Sequence, residues 1–296
     1  MLFRFVPLSL LICFACAQPS PSTLVEVEQI IQDRLSEVEG DFAVAFQSLD
    51  NPEEQLLINA REEFHAASTM KTPVMLEVYK QSEADMLSLD DSVLVKNEFY
   101  SIVDSSTYSL SPEDDSYNEL YEQIGTKQSL SDLVYHMIIS SSNLATNIVI
   151  ELVDAKKVTQ TMRDLGANDM QVRRGVEDGK AYRQGLNNTT TAYDLILLFK
   201  AIAQQEVVSA EASQKMIDIL LDQRFNEMIP AQLPDDVQVA HKTGWITGLH
   251  HDSGIVYLPD GRSYVLVLLS KNLTDEAAGV QALADISKVI YDYVAK

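Results

Sequence analysis

The chain has 296 residues, 46% hydrophobic and 22% charged, a composition that suits a folded protein with one large core or two smaller ones and excludes extended disorder. Its 44 acidic against 22 basic side chains leave a net charge of -22, which repels phosphate backbones and argues against nucleic acid as a partner. Both cysteines, Cys13 and Cys16, lie at the extreme N-terminus, so the rest of the chain has neither a disulfide nor a thiol nucleophile.

Residues 1–17 read as a secretory signal peptide: Arg4, an apolar run through Phe14, and the small residues Ala15 and Ala17 around a cut, too short for a membrane span. Two outcomes stay open, cleavage after Ala17 to leave a mature domain 18–296, or lipidation of Cys16 and membrane anchoring. Either sends the chain to the periplasm or cell envelope.

In "STLVEVEQIIQDRLSEVEG", Val25, Ile30, Ile31, Leu35 and Val38 recur at helical spacing and Gly40 stops the run. "DFAVAFQSLDNPEEQLLINA" then gives two short strands about a turn at Asp50-Asn51-Pro52. From Ala67 the pattern becomes helical, with helices expected at 69–82, 129–139, 143–154, 158–165, 191–205 and 209–222. The polar, aperiodic stretch 96–118 is expected to cover the surface. "VAHKTGW", "DSGIVYL" and "SYVLVLLS" return to strand, the last apolar enough to be buried on both faces, with a hairpin at "PDGR" and a closing helix over about 274–295. Strands at both ends predict one sheet built from both termini. The expected lobes are a sheet lobe over about 22–66 and 223–296 and a helical lobe over about 67–222, with a cleft where they meet.

The chemistry begins at "FHAASTMKTPVMLEVYK", where Ser68 precedes Lys71 by three positions, one helical turn, at the start of an apolar helix. A serine hydroxyl needs a neighbouring base, and a lysine serves only when burial or nearby cations hold it unprotonated. A helix start also favours developing negative charge. Alone, S-x-x-K is more often an N-capping serine with a surface lysine. Two further segments follow in order: Ser141-Ser142-Asn143 at the start of an apolar helix, and Lys242-Thr243-Gly244 on a strand, with Trp245 next.

The three motifs together resemble the class A β-lactamase and penicillin-binding serine hydrolase family, whose signature is S-x-x-K, S-D-N and K-T-G. The resemblance covers nearly all of the mature chain. It implies an α/β (α+β) fold, a five-stranded, mostly antiparallel sheet flanked by helices with an inserted all-helical lobe. It also implies no metal and no cofactor. By the same resemblance Ser68 is the nucleophile, Lys71 its base, Ser141 a proton-shuttling hydroxyl and Asn143 an amide facing Lys71 and substrate. Lys242 and Thr243 would meet the substrate carboxylate, Lys242 would help depress the pKa of Lys71, and the amides of Ser68 and Trp245, beyond Gly244, would form the oxyanion hole.

Ser142 departs from the family pattern, standing where an aspartate is usual. A Ser131-Asp132 pair is a decoy at a helix start. Glu177, in "VRRGVEDGKAYRQGLNNTTT", is the candidate base for deacylation, although the usual E-x-x-L-N run is absent; a structural role beside Arg173 and Arg174, which would pin the loop through Asp178 or Asp194, stays open, with Asp178 the weaker candidate. His241, His250, His251 and Asp252 form a rival, zinc-like cluster without metal-site spacing, and the two adjacent histidines are expected to cap a strand near the cleft mouth. The expected activity is hydrolysis of a small-molecule β-lactam by a monomer. The alternatives are a DD-peptidase or other acyltransferase on cell-wall peptide, or an envelope protein that binds β-lactams without turnover.

Overall fold

A computed structural model describes residues 21–296; the signal segment with Cys13 and Cys16 lies outside the described residues. Thr23 caps the first helix, α1 (Leu24–Ser36), by accepting the amide of Glu26 at 3.2 Å. Strands β1 (Asp41–Ser48) and β2 (Gln55–Ile58) form the expected hairpin about the turn at Asn51. At the other end of the chain β9 (Gln238–Ile246), β10 (Leu249–Tyr257) and β11 (Ser263–Lys271) form an antiparallel meander. β1 pairs with β11, Asp41 opposite Lys271, which closes one five-stranded antiparallel sheet in the order β2-β1-β11-β10-β9.

β11 explains how the sheet is held. Val265, Val267 and Leu269 point to one face and Tyr264, Leu266 and Leu268 to the other, all buried, so its apolar run serves two cores at once. On the outer face α1 and the closing helix α9 (Glu276–Val294) pack together, with Ile31, Leu283, Ile286 and Ile290 against the sheet. The inner face carries the larger core, built with the helices α2 (Lys71–Glu83), α3 (Leu130–Ile139), α4 (Asn143–Val153), α5 (Ala155–Asp164), α7 (Ala192–Ala203) and α8 (Ala210–Leu221). Of these α7 lies directly on β1, β10 and β11.

Three two-stranded ladders tie the connecting segments: β3 (Phe64–His65) with β8 (Thr189–Thr190), β4 (Ser92–Leu94) with β7 (Lys127–Ser129), and β5 (Phe99–Tyr100) with β6 (Thr107–Tyr108). A five-residue helix, α6 (Gly179–Arg183), sits within the 171–189 loop. The stretch 96–118 is not a plain surface cover, because Phe99, Ser101, Leu110 and Asp115 are buried in it. No described helix is long and apolar enough to cross a membrane.

Candidate active site

Ser68 sits in a 3-10 turn, Ala67–Met70, that runs straight into α2 at Lys71. In a 3-10 turn side chains three apart eclipse one another, which puts Ser68 on the same face as Lys71, the residue that ends the turn. Ser68 caps nothing, and its hydroxyl opens onto a cleft of about 390 Å³ shared with His65, Asn143, Glu177, Tyr182 and Trp245. His65 fixes the turn from behind, its Nδ1 accepting the amide of Ala67 at 3.0 Å.

Lys71 is fully buried and donates to three acceptors: the carbonyl oxygen of Ser141 at 2.7 Å, the hydroxyl of Ser141 at 3.1 Å and Oδ1 of Asn143 at 2.9 Å. From the sheet, Lys242 on β9 donates to the same Ser141 hydroxyl at 3.1 Å and to the carbonyl of Thr243 at 2.9 Å. Two lysine amines therefore converge on one hydroxyl. Burial pushes Lys71 down to about 7, against the charges of Asp115 and then Glu177, which favour its ammonium. Lys242 is lowered well below the ordinary range, first by burial and then by the charge of Lys71, with Asp252 opposing. Burial is the first cause for both lysines, and the charge between the two amines disfavours a second ammonium in the pair.

The glycine of the third motif is required by close approach. A Cβ on Gly244 would stand 3.2 Å from the amide nitrogens of Ser68 and Thr69, so β9 lies against the Ser68 turn and brings the backbone after Gly244 to the same mouth as the Ser68 amide. Thr243 lines this side almost buried, while the Trp245 indole is 61% exposed and donates to Oε2 of Glu276 at 3.1 Å.

The mouth of α4 presents Ser141 and Asn143. Ser142 caps the helix, its hydroxyl accepting the amide of Ala145 at 3.2 Å. Asp115, a residue the sequence left in a polar run, reaches the same place: its Oδ2 accepts the amides of Asn143 at 2.9 Å and Leu144 at 2.8 Å and the hydroxyl of Tyr121 at 3.0 Å. Nothing local in "SPEDDS" separates this aspartate from its neighbours. The decoy pair Ser131-Asp132 lies in the first turn of α3, which Ser129 caps through the amide of Asp132.

Glu177 lines the cleft, exposed, with its backbone in the left-handed region at φ 60°, and acts on Lys71 through charge rather than a hydrogen bond. Its neighbour Val176 is the residue the helical lobe grips: Asn147 on α4 accepts the Val176 amide at 2.6 Å and donates to its carbonyl at 3.0 Å. The loop is not pinned by ion pairs from the two arginines. Arg174 gives its guanidinium to the carbonyls of Leu186 and Gly175 and to Asn187, and Arg173 is exposed. Asp178 accepts from the Ser101 hydroxyl and the amides of Ile102 and Ala181, which occupies it structurally. Asp194 takes the amides of Asp169 and Met170.

The histidines go to separate partners. His241 pairs with Asp252 at 2.8 Å and with Asn226, both histidine and aspartate being buried. His250 bonds Glu276, and buried His251 donates to the carbonyl of His65. His250 and His251 lie inside β10 and are not strand caps. Among the described residues no group of three or more potential ligands could hold a metal ion. A wider groove of about 560 Å³ runs along α8 and the edge strand β9, past Asp218, Asp222 and Gln238, and contains none of the motif residues.

Of the nine non-glycine residues with positive φ among the described residues, three flank the cleft: Ala67 at 45°, Ser141 at 54° and Glu177 at 60°. Each costs on the order of 1–2 kcal/mol relative to ordinary backbone.

A five-stranded antiparallel sheet joined to a helical lobe brings a serine, two buried lysines and a second serine to the place where the lobes meet. The sequence pattern of the beta-lactamase enzyme family matches residues 26–294, and the chain belongs to that family. Among relatives, beta-lactamase VEB-1 of Pseudomonas aeruginosa is 22% identical over 259 residues, covering 82% of each chain. Among solved structures, a beta-lactamase from Sphaerobacter thermophilus is 26% identical with a TM-score of 0.78, covering 91% of this chain and 97% of the other. PBP-A is 24% identical with a TM-score of 0.78, covering 93% and 98%.

Proposed function

We propose that this chain is an exported serine hydrolase that opens β-lactam rings through an acyl-enzyme on Ser68. The observation that carries the reading is the shared hydroxyl of Ser141, held by Lys71 from one side and Lys242 from the other at 3.1 Å each. Two ammoniums on one hydroxyl repel, so the pair holds its last proton weakly. An anionic substrate beside Lys242 and Thr243 draws that proton to Lys242 and leaves Lys71 as the neutral base. Lys71 then takes the proton of Ser68 as its oxygen attacks the ring carbonyl, and the amides of Ser68 and Trp245 receive the oxyanion. Ser141 passes a proton to the departing ring nitrogen, replenished by the lysines. In the second half-reaction Glu177 is the carboxylate of the loop free to activate water, since Asp178 is fully engaged.

One observation favours a second reading, a penicillin-binding acyltransferase on cell-wall peptide: Val176, an apolar residue, occupies the position anchored by Asn147, and Glu177 projects toward solvent. Intact-protein mass spectrometry over time with a penicillin separates the two. A transient adduct with substrate turnover, absent in Ser68→Ala and prolonged in Glu177→Gln, supports hydrolysis. An adduct that persists in the parent protein supports the second reading, and no adduct overturns both.

A further inference from the structure

The middle motif lacks its aspartate at Ser142, yet the mouth of α4 is not short of a carboxylate. The first three amides of a helix have no partner within it and must find one elsewhere. Here Ser142 satisfies Ala145, and Asp115, only 8% exposed, satisfies Asn143 and Leu144 from the segment between β6 and β7. That segment is shaped to hold the carboxylate in place. Tyr121 donates its hydroxyl to Oδ2 at 3.0 Å, the amide of Tyr117 donates to Oδ1 at 3.1 Å, and Tyr117 stacks on His136 of α3 with ring centroids 4.1 Å apart.

We infer that Asp115 is a positioning residue of the acylation centre, standing in for the motif's absent carboxylate: it fixes Asn143 against Lys71 and supplies the negative charge that the Lys71 ammonium faces. The inference rests on the acyl-enzyme reading above. Asn143 links the two groups, its amide held by Asp115 and its side-chain oxygen, 2.9 Å from the Lys71 amine, held by Lys71. The ionisable groups around Lys71 are Lys242 from β9, Asp115, and Glu177 from the 171–189 loop. Asp115 is the first of the two carboxylates that oppose the effect of burial on Lys71, and, unlike exposed Glu177, it is shielded from solvent. Around Asp115 itself stand Tyr117 and Tyr121, with Asp114 and Glu177 adding charge near Tyr121.

The sign of the effect is fixed by the chemistry. A negative charge favours the ammonium, so its removal lets Lys71 lose its proton at lower pH and act as a base there. The test is the pH profile of Ser68 acylation by a penicillin, read by mass spectrometry on a fast time base. In Asp115→Asn the plateau at high pH falls, because Nδ2 cannot replace an acceptor, and the acid limb moves to lower pH by about half a unit or more, about threefold in relative rate at a fixed pH below the limb. Adding Ser142→Asp to that variant restores a carboxylate at the motif position and returns the limb toward its parent place. Tyr121→Phe keeps the charge and leaves the limb where it is.

A lowered plateau with an unmoved limb in Asp115→Asn makes Asp115 a purely structural cap and overturns the inference, as does an unaltered profile. If Asp115→Asn does not fold, Ser142→Asp in the parent chain reads the same quantity: the added charge moves the limb to higher pH, and an unmoved limb overturns the inference. Failure of the parent protein to form any adduct is a distinct result, which removes the acyl-enzyme reading and this assignment with it.

Discussion

Gly175 offers a direct test of how the cleft floor is held. A Cβ at this position would stand 2.2 Å from Oδ1 and 2.8 Å from Cγ of Asn147, closer than any real contact. Asn147 is 1% exposed and accepts and donates one hydrogen bond each with the backbone of Val176. Gly175→Ala must therefore push the amide aside and break both bonds. Two lost bonds at about 0.5–1.5 kcal/mol each, with the penalty for leaving a buried amide without partners, put the loss at about 2–4 kcal/mol. The assay is urea unfolding of Gly175→Ala, Asn147→Ala and the double variant. Removing the Asn147 side chain first removes the obstacle, so Gly175→Ala should cost under about 1 kcal/mol in that background, a coupling typical of groups in contact. Additive losses, or a loss below about 0.5 kcal/mol in the single variant, would refute the clash as the reason for a glycine here. The same displacement carries Val176 and Glu177 with it, so the single variant should also change the lifetime of a penicillin adduct.

Two pH effects on stability follow from buried groups. Lys71 is lowered in the folded state to about 7 from 10.5, so the unfolded chain binds more protons between these values and its contribution to stability, full above about 10.5, is lost as pH falls through about 7. The stability of the parent relative to Lys71→Met should therefore rise with pH across that window, with a slope of at most about 1.4 kcal/mol per unit, measured by denaturant unfolding at several pH values. A flat difference would place the charged and neutral amines on equal terms in the core. His251 is lowered by burial to about 4 from 6.5, so its contribution is full above 6.5 and disappears as pH falls toward 4. His251→Gln should lose less stability than the parent between pH 6.5 and 4, by up to about 3 kcal/mol, and an equal loss would show that His251 takes up its proton as readily in the fold as in the unfolded chain.

The sequence was legible where a physical period or a short-range geometry wrote it. The continuous apolar run of β11 and the helical runs of α3, α4 and α9 match the observed elements to within a few residues. Lys71, Ser141, Asn143 and Lys242 are joined by hydrogen bonds and Ser68 opens onto the same cleft as Asn143, because each rides on an element start or a strand whose place the fold determines. Asp115 and Asn147 were invisible for a different reason. Their roles are contacts across the chain, a carboxylate in an acidic run bonding a distant helix mouth and an amide in an ordinary apolar helix gripping a distant loop. Neither leaves a local pattern. The arginine pinning of the 171–189 loop failed similarly: Arg174 is buried among carbonyls, and a backbone already bent back on itself satisfies a guanidinium without any acid.

The left-handed backbone at Ala67, Ser141 and Glu177 has a consequence for how such a protein changes over time. Glycine or asparagine at any of the three would relax the chain and raise its melting point where nothing else intervened, since those residues tolerate this conformation. The same exchange would loosen a hinge beside the nucleophile, the shared hydroxyl or the loop carboxylate. Selection for heat resistance and selection for speed therefore pull on the same three positions in opposite directions, and variants that gain both must find their added stability away from these positions.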